Sequence, residues 1–177
     1  HKAKILQATM QAKGLNQYLQ VPEIPPVPNE AIAMLVDCVE NVQTSYSVAF
    51  AGSSLGGFYA TWLAQRFGGK AVLINPAVRP HVLLEKYLGE NVNYYTSERW
   101  VLNETHIQQF RALDVESVTQ PERYLVKLQM GDETLDYRLA ANKYADCHVE
   151  IEEGGDHSFV NFEQHIDSLL DFCGITD

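Results

Sequence analysis

Apolar residues recur along this chain with two periods, one helical and one extended, and their alternation predicts its elements. Residues 2–14 place Ile5, Thr9 and Ala12 on one side of a helix that stops at Gly14. Residues 18–21 read as a short strand. Pro22 to Pro28 is a stiff, extended link, because each proline fixes φ and biases its predecessor away from helix. Asn29 is the expected cap of a helix to about Val42, with Ile32, Leu35, Val36 and Val39 as its apolar stripe. A strand over 46–51 and a helix over 55–67, stopped by Gly68-Gly69, come next. Ala71 to Asn75 is a continuous apolar run, as expected of a strand buried on both faces of a parallel sheet. Further on, a strand from Tyr124 to Met130, a helix over 137–146 and a strand from His148 to Glu152 follow in turn. A closing helix over about 161–173 turns Ile166, Leu169, Leu170 and Cys173 inward. Between Arg79 and about Pro121 the pattern is less regular, with Tyr87, Tyr94, Tyr95, Trp100 and Phe110 among polar residues; a small lid and a plain helical crossover fit it equally. The series predicts an α/β fold: a mostly parallel, doubly wound sheet with helices on both faces and right-handed crossovers.

Composition narrows the class. A chain of 177 residues, 46% apolar and 20% charged, suits a single globular domain over 1–177. Its net charge of −10 argues against a nucleic-acid partner, which needs clustered Lys and Arg. No apolar stretch approaches the roughly 18 residues of a membrane span. Cys38, Cys147 and Cys173 are widely spaced, with no Cys-x-x-Cys and no interleaved histidines, so no metal site is expected. Three reduced thiols in a cytoplasmic protein is the plainer reading. Gly69-Lys70 lacks the upstream glycine and following Ser or Thr of a phosphate loop, and no G-x-G-x-x-G occurs, so nucleotide binding has no support.

The chemistry centres on Gly52-Ser53-Ser54-Leu55-Gly56, which fits G-x-S-x-G between a predicted strand and a predicted helix. Small residues two positions either side of a serine allow a sharp strand-to-helix turn that lifts the hydroxyl clear of the sheet. Ser54 is thereby the expected nucleophile, and the Leu55 N–H points to where an oxyanion would form. In such a sheet, ligands bind beyond the carboxyl ends of the strands. Asp132, in the turn Gly131-Asp132-Glu133, and His157, after Gly154-Gly155, sit at two further strand ends. The chain order Ser, Asp, His is that of α/β-hydrolases. An imidazole can take the serine proton, and a carboxylate fixes its tautomer and stabilises the imidazolium. Competing residues exist. Ser53 misses the serine slot; Glu133 is the nearer rival of Asp132, and Asp136 is better placed to cap the next helix. Asp156 is expected to face solvent, while His81, His106, His148 and His165 lack a glycine turn at a strand end.

Four stretches together carry a family resemblance. Ala51-Gly52-Ser53-Ser54-Leu55-Gly56-Gly57-Phe58-Tyr59-Ala60-Thr61-Trp62-Leu63, Ile74-Asn75-Pro76-Ala77-Val78-Arg79-Pro80, Gly131-Asp132-Glu133-Thr134-Leu135-Asp136-Tyr137 and Glu153-Gly154-Gly155-Asp156-His157-Ser158-Phe159 resemble the small bacterial esterases of the YqiA type. The resemblance implies an α/β-hydrolase fold, carboxylic-ester hydrolysis and no cofactor. It places the nucleophile on Ser54, the acid on Asp132 and the base on His157. Members of that family begin with a strand leading into a His-Gly-Phe loop that supplies a second oxyanion donor. His1 is followed by Lys2 and does not match that loop, so the resemblance implies a dozen or so residues upstream of His1, enough for a strand of about five residues and a loop.

The expected function is a cytoplasmic serine esterase acting on small-molecule acyl esters or thioesters. Arg79, just beyond the strand at 71–75, is a candidate for meeting an anionic part of the substrate; a salt bridge within the fold is the alternative. Two rival functions share the scaffold: a non-catalytic binding protein, and an acyltransferase using the same three residues.

Overall fold

The computed structural model describes residues 1–92 and 99–175. Tyr94 and Tyr95 lie outside the described residues. Helix α1 (Lys2–Ala12) buries Met10 and ends before Gly14. The expected strand at 18–21 is absent. A single 3₁₀ turn covers Asn16–Tyr18, and the chain then runs extended without joining a sheet. Tyr18 and Val21 are exposed, so no burial draws this stretch into a ladder. Helix α2 (Pro28–Glu40) also differs at its start, where Val27 occupies the cap position and Pro28 the first turn. Proline fits there because its missing N–H would have had no partner anyway. Asn29 therefore lies inside the helix and caps nothing.

The central layer alternates in the expected order, but the strand expected over 46–51 spans Ala49–Ser54, and the closing helix expected over 161–173 is a 3₁₀ turn (Phe162–His165) followed by helix from Ile166. Strand β1 (Ala49–Ser54) runs straight into α3 (Leu55–Phe67), then β2 (Lys70–Pro76) leads to α4 (Pro80–Leu84). Next come β3 (Gly89–Val92), β4 (Arg99–Leu102) and α5 (Glu104–Ala112). Strand β5 (Tyr124–Gln129), α6 (Tyr137–Lys143), β6 (His148–Glu152) and α7 (Ile166–Cys173) complete the chain. One sheet has the order β1-β2-β5-β6 with every neighbouring pair parallel, while β3 and β4 form a separate antiparallel pair.

Residues of β2 and β5 alternate between two cores, which is why Ala71 to Ile74 of β2 read as an unbroken apolar run. Ala71, Leu73, Tyr124, Val126 and Leu128 pack with Leu35 of α2, Leu63 of α3, Phe110 of α5 and Ala140 of α6. Val72, Ile74 and Leu125 pack on the opposite face with Met10 of α1 and Leu169 and Leu170 of α7. The irregular stretch after Arg79 contributes to the first core through α5. There Phe110 meets Phe58 and Tyr59 at ring-centroid separations of 6.0 and 6.4 Å.

Two polar residues interrupt the second face. Lys127 and Gln129 alternate with the apolar residues of β5 and stand opposite Glu150 and Glu152 of β6. Lys127 pairs with Glu150, and Gln129 Nε2 donates to Glu152 Oε2 at 2.9 Å. Lys127 also donates to His165 Nδ1 (3.4 Å), which leaves His165 Nε2 to carry a proton toward Glu152 Oε1 at 3.3 Å. A buried lysine is tolerated here because the Glu150 carboxylate and His165 Nδ1 accept from its ammonium.

Candidate active site

Three loops at the carboxyl ends of β1, β5 and β6 meet above the sheet. The first is the turn from β1 to α3. Ser54 sits there at φ 54° and ψ −123°, a conformation that L-residues rarely adopt. Such strain, of order 1–3 kcal/mol, persists only where surrounding structure fixes it. Here Gly52 provides the tight fit, since a Cβ on it would collide with the backbone of Gly56. Gly57 lies against Pro76, whose Cβ would stand 2.7 Å from an added Cβ. Gly56, the second glycine of the motif, has open space beside it. The turn is tied to β2 by an irregularity in their register, where Ser54 stands opposite Pro76 and Ala77 N–H donates to Ser54 O at 3.0 Å. Leu55 is the first residue of α3, so its N–H faces out of the helix end without an intrahelical partner.

Ser54 Oγ lies 3.1 Å from His157 Nε2, and His157 Nδ1 lies 2.8 Å from Asp132 Oδ2 and 3.0 Å from Oδ1. Asp132 only accepts, so the imidazole carries its proton on Nδ1 and presents an acceptor nitrogen to the serine. The Asp132 side chain is 2% exposed and His157 is 24% exposed. The carboxylate is oriented further by the N–H groups of Thr134 (2.9 Å) and Leu135 (2.8 Å), which donate to Oδ1. The rival acids are elsewhere. Asp136 caps α6 by accepting from Arg138 N–H at 3.0 Å. Glu133 accepts from the His157 backbone N–H at 3.0 Å. Its own backbone N–H and that of His157 hold its carboxyl below the ordinary value of 4.5.

The histidine loop is pinned rather than free. Lys2 of α1 donates to Ser158 O at 2.9 Å. Burial lowers the Lys2 pKa, against the pull of Asp156 and Asp132. Asp156 does not simply face solvent as expected. Its Oδ1 is buried without a hydrogen-bond partner, and its backbone N–H and C=O are held by Gln129 and Asn75. Asn75 and Gln129 thus hold the histidine loop; Asn75 lies in one of the four stretches but carries no expected role there, and Gln129 lies in none of them. The available signal for both is a polar residue near the carboxyl end of a largely apolar strand.

The other candidates lie apart from the three side chains. Arg79 is exposed, adopts a left-handed conformation (φ 50°, ψ 61°) at the start of α4, and forms no ion pair among the described residues. His81 is buried, and desolvation lowers its pKa. His148 and His165 join the Glu150 and Glu152 side chains. Cys147 and Cys173 are unpaired thiols pushed up to about 11 by burial. No group of His, Cys, Asp and Glu suited to a metal occurs among the described residues, and no helix among them is long and apolar enough to cross a membrane.

Solved structures share this architecture. Est1E from Butyrivibrio proteoclasticus with ferulic acid bound is 14% identical, with a TM-score of 0.62 covering 82% of this chain and 67% of that one. A tomato methylketone synthase I variant complexed with beta-ketoheptanoate is 12% identical, with a TM-score of 0.69 covering 96% and 90%. Mouse alpha/beta hydrolase domain-containing protein 10 is 19% identical, with a TM-score of 0.59 covering 82% and 70%. The fold is that of the α/β hydrolases. A family model described as uncharacterised protein family UPF0227 matches residues 1–174, and the chain belongs to that family, the one to which the YqiA-type proteins belong.

Proposed function

We propose that this protein is a serine hydrolase that cleaves carboxylic esters of small or acyl-chain substrates, thioesters included, through an acyl-enzyme intermediate. The observation that carries the reading is the unbroken relay from Ser54 Oγ through the His157 ring to the buried Asp132. Ser54 Oγ attacks the ester carbonyl carbon while His157 Nε2 takes its proton. The Leu55 N–H stabilises the oxyanion, a kind of contact worth about 10²–10³ in kcat elsewhere. The tetrahedral adduct collapses, the C–O bond breaks, and the alcohol leaves with the proton from His157. Water, deprotonated by the same imidazole, then releases the carboxylic acid and restores Ser54. Asp132 holds the Nδ1–H tautomer and stabilises the imidazolium in both halves.

Arg79 is proposed to meet a carboxylate or other anionic part of the substrate, being an exposed cation just beyond the end of β2. The acids named in two of the related structures, ferulic acid and beta-ketoheptanoate, support an acyl-type ligand for this reading. The described parts of the stretch 79–121 are proposed as a cover over the substrate or a helical crossover within a single domain, and the cytoplasm of a bacterium as the setting. A fluorophosphonate probe tests the core of the reading. It should add one phosphonyl group to Ser54, seen by peptide mass, and abolish turnover of a p-nitrophenyl ester panel of rising chain length. An unlabelled Ser54 would leave the binding-protein reading standing.

A further inference from the structure

We infer that Gln129 is a positioning residue for His157: its buried carboxamide, braced by Asn75 and Glu152, sets where the loop carrying the imidazole meets Ser54. The inference rests on the serine-hydrolase reading above. Gln129 is 3% exposed at the last position of β5, and it uses all four of its side-chain hydrogen-bonding sites. Oε1 accepts from Asp156 N–H at 3.2 Å and from Val160 N–H at 2.8 Å. Nε2 donates to Val160 O at 3.0 Å and to Glu152 Oε2 at 2.9 Å. The amide orientation is unambiguous, because two donors face the oxygen and two acceptors face the nitrogen. One side chain thus holds both ends of the segment 156–160, and His157 is its second residue.

Two neighbours complete the brace. Asn75, 3% exposed and at φ 40°, accepts from Gln129 N–H at 3.0 Å and donates to Asp156 O at 3.1 Å. Asn75 precedes Pro76, the residue opposite Ser54, so it links the nucleophile turn to the histidine loop through two residues. Gly155, at φ 73°, admits the close approach, since a Cβ there would run into the Gln129 carboxamide. A buried apolar residue at 129 would leave two N–H groups and a carbonyl of the loop without partners. Displacing an imidazole by about 1 Å is enough to cost on the order of 10²-fold in rate.

The test exploits the pairing of Gln129 with Glu152. Gln129→Glu keeps the acceptor for the Asp156 and Val160 N–H groups but sets a carboxylate oxygen against both Glu152 and the Val160 carbonyl. Glu152→Gln added to it restores a donor–acceptor pair. Both variants and the wild type are assayed for kcat and KM on a p-nitrophenyl ester, for fluorophosphonate labelling rate and for melting temperature. Positioning predicts that kcat and the labelling rate fall together in Gln129→Glu, on the order of 10²-fold, with KM little changed. The double variant should recover part of that loss, the part owed to the clash with Glu152, because the Val160 carbonyl still lacks its donor. Asn75→Asp, which can accept from Gln129 but not donate to Asp156, should reproduce the kcat effect, and it serves as the test should Gln129→Glu not fold. Wild-type kcat in a folded Gln129→Glu or Asn75→Asp would overturn the inference, as would a double variant that regains its melting temperature without regaining kcat. A wild type that is neither labelled nor active would instead remove the hydrolase reading itself.

Discussion

Ser53 and Ser54 are neighbours in one turn, yet only Ser54 presents its hydroxyl to His157. Ser54→Ala should abolish ester turnover with the melting temperature kept, while Ser53→Ala should retain most of it; the reverse result would move the nucleophile. Asp132→Asn should lower kcat on the order of 10⁴-fold, because an amide favours the wrong imidazole tautomer. Glu133→Gln should cost little, since its side-chain oxygen can still accept from His157 N–H. Equal losses at both positions would mean that Glu133 is more than an anchor. Acid separates the two anchors further. The folded pKa of Glu133 lies below its ordinary value of 4.5, so its contribution is fully present above that value and is lost as pH falls through the lower one. The melting-temperature difference between wild type and Glu133→Gln should therefore be flat above about pH 4.5 and shrink below it.

The β1–α3 turn shows how far spacing alone specifies an element. G-x-S-x-G located the turn, but the glycine that the structure leaves unconstrained is Gly56, and the one pressed against Pro76 is Gly57. Gly57→Ala is expected to destabilise by about 1–3 kcal/mol through overpacking. Gly56→Ala should be neutral or stabilising by up to about 1 kcal/mol, as in a helix; urea titration of both variants distinguishes them. The centre of the sheet was legible because burial on two faces leaves a continuous apolar signature in β2, and β5 keeps it except at Lys127 and Gln129. The errors fell where local pattern lacks a tertiary partner. Residues 18–21 had strand-like composition but nothing to pair with, and Asn29 had capping chemistry one residue after a proline that had already begun the helix. Helix α6 ends at Lys143, short of the expected 146, as Tyr144 turns inward to bond Thr61 at 2.9 Å. Gln129 and Glu152 were invisible as a pair for a related reason. Only the register of β5 on β6 brings them together.

At the scale of the molecule, the site draws on both halves of the sequence. Strands β1 and β2 with Ser54 and Asn75 come from before the midpoint of the sheet, and β5 and β6 with Gln129, Asp132 and His157 come from after it. Among the described residues, they join in the sheet along the parallel seam where Ala71 to Ile74 pair with Tyr124 to Lys127. The connection from α5 to β5 crosses that seam once, through residues 113–123. Cutting the chain there would part Ser54 from His157 while leaving each fragment two adjacent strands. Residues 1–115 and 116–177, expressed separately, should each be inert toward esters. Mixed, they should recover turnover that rises with the concentration of the partner fragment. The protein would then serve as a split reporter, whose signal reads out whether two other molecules fused to its halves have come together.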